Sequence, residues 1–184
     1  MNSEPSFPQQ MFRQTMEVVL IVLVALGIEL GIQKQWMPMN GICLLIMVWA
    51  LAKTVFFFIE NLQHILLATS HNIPYHRFLG LMGVNMAQIT LSFALDYWCL
   101  ETANLGSFSG FQETWNQGEV IFECFFFSVL NFSFFGFGDV TPQTIPAKVV
   151  TMMEVILAFF TVIFLLSDFI SLKDSIRAEK KQGD

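Results

Sequence analysis

Between two long apolar runs, residues 133–142 read Ser-Phe-Phe-Gly-Phe-Gly-Asp-Val-Thr-Pro. The Gly136-Phe137-Gly138-Asp139 core puts flexible, irregular backbone at a depth where lipid offers its N–H and C=O groups no partner. Such a segment persists only if protein buries it or if it lines a water-filled path. The rest of the chain must therefore supply one of those two surroundings.

The flanking sequence is that of a membrane protein. Of its 184 residues 54% are hydrophobic and 13% charged, with 21 Phe, a balance too apolar for a soluble domain of this length. A hydrocarbon core about 30 Å thick takes roughly 20 apolar residues to cross as a helix. Met16–Ile32, Gly41–Ile59 and Phe78–Leu100 meet or approach that length. A fourth run, Pro146 to about Leu172, opens on a proline suited to a helix's first turn. Val120–Phe135 is too short to span and ends in the Gly-rich segment, the shape of a re-entrant helix followed by a loop. The expected fold class is an all-α membrane protein with four transmembrane helices plus a re-entrant helix. The first run has no basic start and no small-residue cleavage site, so it reads as a retained span. Four spans put both termini on one side. Arg13, Arg77, Lys173, Arg177, Lys180 and Lys181 then share that face, with Lys34 and Lys148 opposite, which favours cytoplasmic termini in a multi-pass protein of the cell membrane.

Little else in the chain offers chemistry of its own. Cys43, Cys99 and Cys124 lie in or beside apolar runs and read as buried small hydrophobes. Cys99 is near enough the outer surface to be considered for an inter-subunit disulfide. Lys53, mid-span, is expected to snorkel or to pair with Glu29 or Glu17 of the first span. Glu154 is expected to face neighbouring helices as polar glue, and Asp168 to sit at the cytoplasmic end, near solvent or in an acidic ring. His64, His71 and His76 have no metal-site spacing, and no helix carries arginines every third residue. With no nucleophile–base pair or His/Cys/Asp cluster, an enzyme is not expected, nor is a cofactor or a nucleic-acid partner.

The short helix brings its own electrostatics. Glu119 complements its positive end, and its negative end falls just before the Gly-rich loop, favouring a cation there. Gly136 and Gly138 can adopt positive backbone angles. Alternating such angles turns successive carbonyl oxygens in one direction, and four chains around an axis would form rings of oxygens able to replace an ion's hydration shell.

The string Phe127-Ser128-Val129-Leu130-Asn131-Phe132-Ser133-Phe134-Phe135-Gly136-Phe137-Gly138-Asp139 resembles the pore helix and selectivity filter of potassium channels, whose pattern is Thr-Thr-Val-Gly-Tyr-Gly-Asp after a Phe-Ser start. Pro142, Thr144 and Lys148 continue the likeness into the inner helix, and it covers roughly 78–170. The resemblance implies a homotetramer in lipid with one axial pore. It divides the chain into a cytoplasmic N-terminus (1–15), two peripheral spans with a cytoplasmic linker (16–77), a pore domain (78–172) and a short tail (173–184). It assigns Phe134, Phe135, Gly136, Phe137, Gly138 and Asp139 to the filter and its outer mouth, with potassium ions on the carbonyls of Phe134, Phe135, Gly136 and Phe137 as permeant ligand. It puts Ser128, Asn131 and Ser133 on the pore helix, and Phe159, Val162, Ile163 and Leu166 on the cavity wall, with Ala158 where relatives carry a hinge glycine.

Two departures stand out. Phe134 replaces the filter threonine, so the innermost site loses its side-chain oxygen. Phe135 replaces the valine and should turn back towards Phe125, Phe126 and Phe132. The implied function is passive cation conduction, for potassium first. The alternatives are a weakly selective monovalent cation channel or a non-conducting channel-like scaffold or regulatory subunit.

Overall fold

The computed structural model describes residues 7–70, 75–112, 114–136 and 138–182, and the side chains of residues 15–63, 79–112, 114–136 and 138–166. Expectations placed on His71, on Phe137, and on the side chains of Arg13, His64, His76, Arg77, Asp168, Lys173, Arg177, Lys180 and Lys181 lie outside these.

The protein is all-α. There are four long helices, α1 (Phe7–Gln33), α2 (Met39–Ser70), α3 (Tyr75–Ala103) and α5 (Ile145–Gln182), and a short one, α4 (Gln117–Phe132). Even α1, at 27 residues, reaches about 40 Å at 1.5 Å per residue. Among the described residues, Thr15–Gln33, Met39–Gln63 and Ile145–Leu166 are long and apolar enough to cross a membrane. The expected span at 78–100 is also a helix, but α3 is less apolar. It carries Asn85, Gln88, Ser92 and Asp96, all buried within the protein.

The reason lies in the packing, because α3 is the central helix and touches α1, α2, α4 and α5. Asn85, Ser92 and Asp96 each meet a partner on α2. Lys53 of α2 forms an ion pair with Asp96 (2.8 Å) and donates to the Ser92 hydroxyl (2.6 Å) and carbonyl (3.0 Å). Its ammonium also lies 5.5 Å from the Phe93 ring centroid, within cation–π range. The expected pairing of Lys53 with Glu29 or Glu17 is therefore corrected. α2 runs antiparallel along α3, and that register brings Asp96 and Ser92, one turn apart, to the lysine.

Deeper along the same interface, Asn85 Nδ2 donates to Asn61 Oδ1 (2.8 Å), and Asn61 Nδ2 donates to Thr161 Oγ1 (2.8 Å). This chain joins α3, α2 and α5, and all three residues are completely buried. Phe58 of α2 reinforces the contact with edge-on packing against Phe160 (5.2 Å between centroids). Cys43, Cys99 and Cys124 are buried free thiols. Cys99 faces α1, its sulfur 3.8 Å from the Ala25 carbonyl, so an inter-subunit disulfide there is excluded by its burial.

After α3 the chain makes a compact connection whose strand β1 (Phe108–Ser109) pairs antiparallel with β2 (Thr141–Pro142), immediately before α5. Gln143 N–H bonds the Ser107 carbonyl at 2.8 Å. The Ser109 and Thr141 hydroxyls meet at 2.6 Å, with the Gln143 amide on both. Behind them Tyr97, Phe108 and Phe127 form a triangle of edge-to-face rings with centroids 5.1–5.7 Å apart. That triangle fixes this connection and α4 to the end of α3.

Candidate functional site at the end of the short helix

α4 has 16 residues, about 24 Å, too short to cross the bilayer and packed between α3 and α5. Both of its ends are built locally. At the start, Asn116 Oδ1 accepts from Glu119 N (3.0 Å) and Glu119 Oε2 accepts from Asn116 N (2.7 Å). This reciprocal capping box satisfies two donors left free by the first turn. Glu119 was expected only to offset the helix dipole. The Asn-x-x-Glu spacing in the sequence already specified the cap as well.

At the far end, Phe134 N–H bonds the Asn131 carbonyl (3.1 Å) and Phe135 N–H bonds the Leu130 carbonyl (3.0 Å). This is the Schellman arrangement, with Ser133 as C-cap and Phe134 in the left-handed position that glycine usually takes. Phe134 has φ +60°. A bulky side chain there costs about 1–2 kcal/mol. Ser133 adds its hydroxyl to the Val129 carbonyl at 2.7 Å. The carbonyls of Val129, Leu130 and Asn131 thus each accept a hydrogen bond that closes the helix.

Beyond the cap the backbone emerges. Gly136 takes φ +60° with nothing within 4 Å of an added Cβ. Gly138 is different, because a Cβ there would lie 3.1 Å from Leu130 Cδ1. Gly136, Gly138 and Asp139 are all exposed. Phe134 is 48% and Phe135 65% exposed. Phe135 is therefore not packed away among other side chains behind the loop as expected, and it follows directly on the Schellman turn.

Of the residues expected on the pore helix, Ser128 and Asn131 are buried and Ser133 is exposed at the cap. Ser128 Oγ lies 2.8 Å from the Thr90 carbonyl and also bonds the Glu154 carboxyl. Glu154 of α5 is fully buried and bonds the Tyr97 hydroxyl on its other oxygen. It therefore faces neighbouring helices and ties α3, α4 and α5 together. On α5, Phe159, Ile163 and Leu166 are exposed, Val162 is half-buried and Ala158 is buried. The first four share one strip of the helix and Ala158 faces inward.

Asp96, Asn61, Asn85, Tyr97 and Thr161 had not been singled out from the sequence. Their only signal there was polarity inside apolar helices. Among the described residues no three His, Cys, Asp or Glu side chains gather closely enough to hold a metal ion.

A family model described as ion channel matches residues 84–173. The matched stretch includes most of α3, all of α4, the Gly-rich loop and the apolar part of α5. Neither the curated proteins nor the solved structures yield a match.

Proposed function

We propose that four copies of this chain assemble around an axis into a passive cation channel, conducting potassium through the backbone carbonyls of Phe134, Phe135, Gly136, Phe137 and Gly138, with Asp139 at the outer mouth. The observation that carries this reading is a helix too short to span, capped at both ends, that delivers an exposed Gly-rich loop inside the stretch matched by the ion-channel family. Irregular backbone at that depth needs either protein or water around it, and one chain leaves it uncovered. Cyclic assembly of identical chains gives the loop both: neighbours at its sides and an aqueous axis in front.

The electrostatics favour a cation. The helix points its negative end at the loop, and the loop's own carbonyls follow directly after the cap. Phe159, Val162, Ile163 and Leu166 then line an apolar vestibule that closes by dewetting. Lipid covers the outer faces, and both termini lie in the cytoplasm.

Weak selectivity among monovalent cations is the second reading, and Phe134 favours it, because a left-handed phenylalanine supplies no side-chain oxygen where the resemblance expects one. Reversal potentials in proteoliposomes with potassium on one side and sodium on the other separate the two. A strong potassium preference supports the first reading. Equal permeability overturns the potassium assignment, and absence of flux restored by Phe134→Thr identifies a plugged, non-conducting relative.

A further inference from the structure

At the filter-loop end of the bundle, a cavity of about 620 Å³ opens between the end of α3, the β1 connection and the start of α4. Its walls include Trp98, Glu101, Phe108, Phe111 and Trp115, with Gln117 at the rim. We propose that this cavity binds a quaternary ammonium group, carried either by a small free cation or by a lipid headgroup.

The chemistry follows from the walls. Phe108 and Phe111 have ring centroids 6.2 Å apart at 71°, and Phe111 and Trp115 are 6.2 Å apart at 73°. Successive planes at nearly right angles make an aromatic corner, and an aromatic face attracts a cation within about 6 Å of its centroid. Trp98 and Phe108 are buried, so these walls are fixed by the fold and ready before a ligand arrives. Methylated ammonium suits such a corner better than a metal ion, because its apolar methyl groups shed water at little cost while its charge remains.

Glu101 supplies the counter-charge. Its carboxylate oxygens accept from Gly106 N (2.9 Å) and Phe108 N (2.9 Å). Those bonds hold the connection in the shape that forms the cavity, and each oxygen keeps a further lone pair. The start of α4 contributes positive potential nearby, equivalent to about half a charge. The full charge of the Glu101 carboxylate, which lines the cavity, exceeds it and leaves the site net negative.

Binding can be read without ion flux, so its failure and failure of the channel reading are separate results. The full-length protein in phosphatidylglycerol vesicles is titrated with tetramethylammonium chloride and with choline chloride, following tryptophan emission. Sodium chloride controls for ionic strength and 3,3-dimethylbutan-1-ol serves as the neutral analogue of choline. A saturable change with both cations and none with the alcohol is expected. Phe111→Leu, which keeps both cavity tryptophans as reporters, should raise the half-saturating concentration about tenfold. Gln117 is exposed, so rim substitutions leave the core intact. Gln117→Lys and Gln117→Glu should shift affinity about fivefold in opposite directions.

Repeating the titration in phosphatidylcholine vesicles distinguishes the sources. Suppressed choline binding identifies the headgroup as occupant, and unchanged binding identifies a free cation. An equal response to the neutral alcohol, no saturable response in phosphatidylglycerol, or identical shifts for both Gln117 variants would overturn the proposal.

Discussion

Gly110 packs against the Asp139–Val140 backbone, and replacing it tests how that end of the Gly-rich loop is held. It has φ +99°, and a Cβ built on it would lie 2.2 Å from the Asp139 carbonyl oxygen, 2.6 Å from its carbon and 3.0 Å from Val140 N. Ordinary contact is about 3.5 Å, so Gly110→Ala demands a displacement of roughly 1 Å between two backbones. Two costs combine. The backbone conformation itself costs an alanine about 1–3 kcal/mol. The displacement also strains the β1–β2 pairing and the Gln143–Ser107 bond, each such bond contributing about 0.5–1.5 kcal/mol. The expected loss is about 3–5 kcal/mol.

Gly106 supplies the control. It has φ +85° but nothing within 4 Å of an added Cβ, so Gly106→Ala carries the conformational cost without the collision. Thermal unfolding in detergent, read by size-exclusion chromatography after heating, should rank wild type above Gly106→Ala and Gly106→Ala clearly above Gly110→Ala. In proteoliposomes the surviving Gly110→Ala protein should show an altered potassium-to-sodium permeability ratio, and Gly106→Ala should not. Equal stability of the two variants, with wild-type permeability in both, would refute the view that the connection braces Asp139.

Three further expectations come from buried contacts. Lys53→Met leaves Asp96 without its cation and should cost about 3–5 kcal/mol, whereas Lys53→Met with Asp96→Leu should recover most of it; thermal unfolding of the three proteins checks the order. Asn116→Ala removes one half of the capping box and should cost about 1 kcal/mol, read as a lower unfolding midpoint. Phe134→Gly relieves the left-handed position and should stabilise the fold by about 1–2 kcal/mol; a lower midpoint would show that the phenylalanine ring contributes more than its backbone costs.

Features that are local in the chain were legible in the sequence. Apolar run length located the helices, and the shortness of Val120–Phe135 marked α4 as distinct from them. Run length put α3 in one class with the other long helices, and the significance of its Asn85, Gln88, Ser92 and Asp96 was not read from the sequence. Their partners were the illegible part. Lys53 meets Asp96 across 43 positions of sequence, a pairing set by helix register and not by any local pattern. Phe134 illustrates a different limit: alignment to a filter pattern assigns it a threonine's place, while its conformation comes from the hydrogen bonds that end α4. Gly110 has no local mark in the sequence, because its constraint lies in the Asp139–Val140 backbone, far away along the chain.

The polar face of α3 also bears on how the protein is made. A helix enters the bilayer on its own when its summed side-chain transfer energy is favourable, and polar or charged side chains weigh against entry. Asp96, with Asn85 and Gln88 on the same helix, makes α3 a reluctant entrant. Lys53 and Asn61 are synthesised first and reside on α2, the segment just ahead of it. α2 can therefore serve as an intramolecular chaperone, holding the groups α3 needs when it emerges. On this account, substitutions at Lys53 or Asn61 act first on biogenesis: they lower the fraction of chains in which α3 reaches its place beside α2.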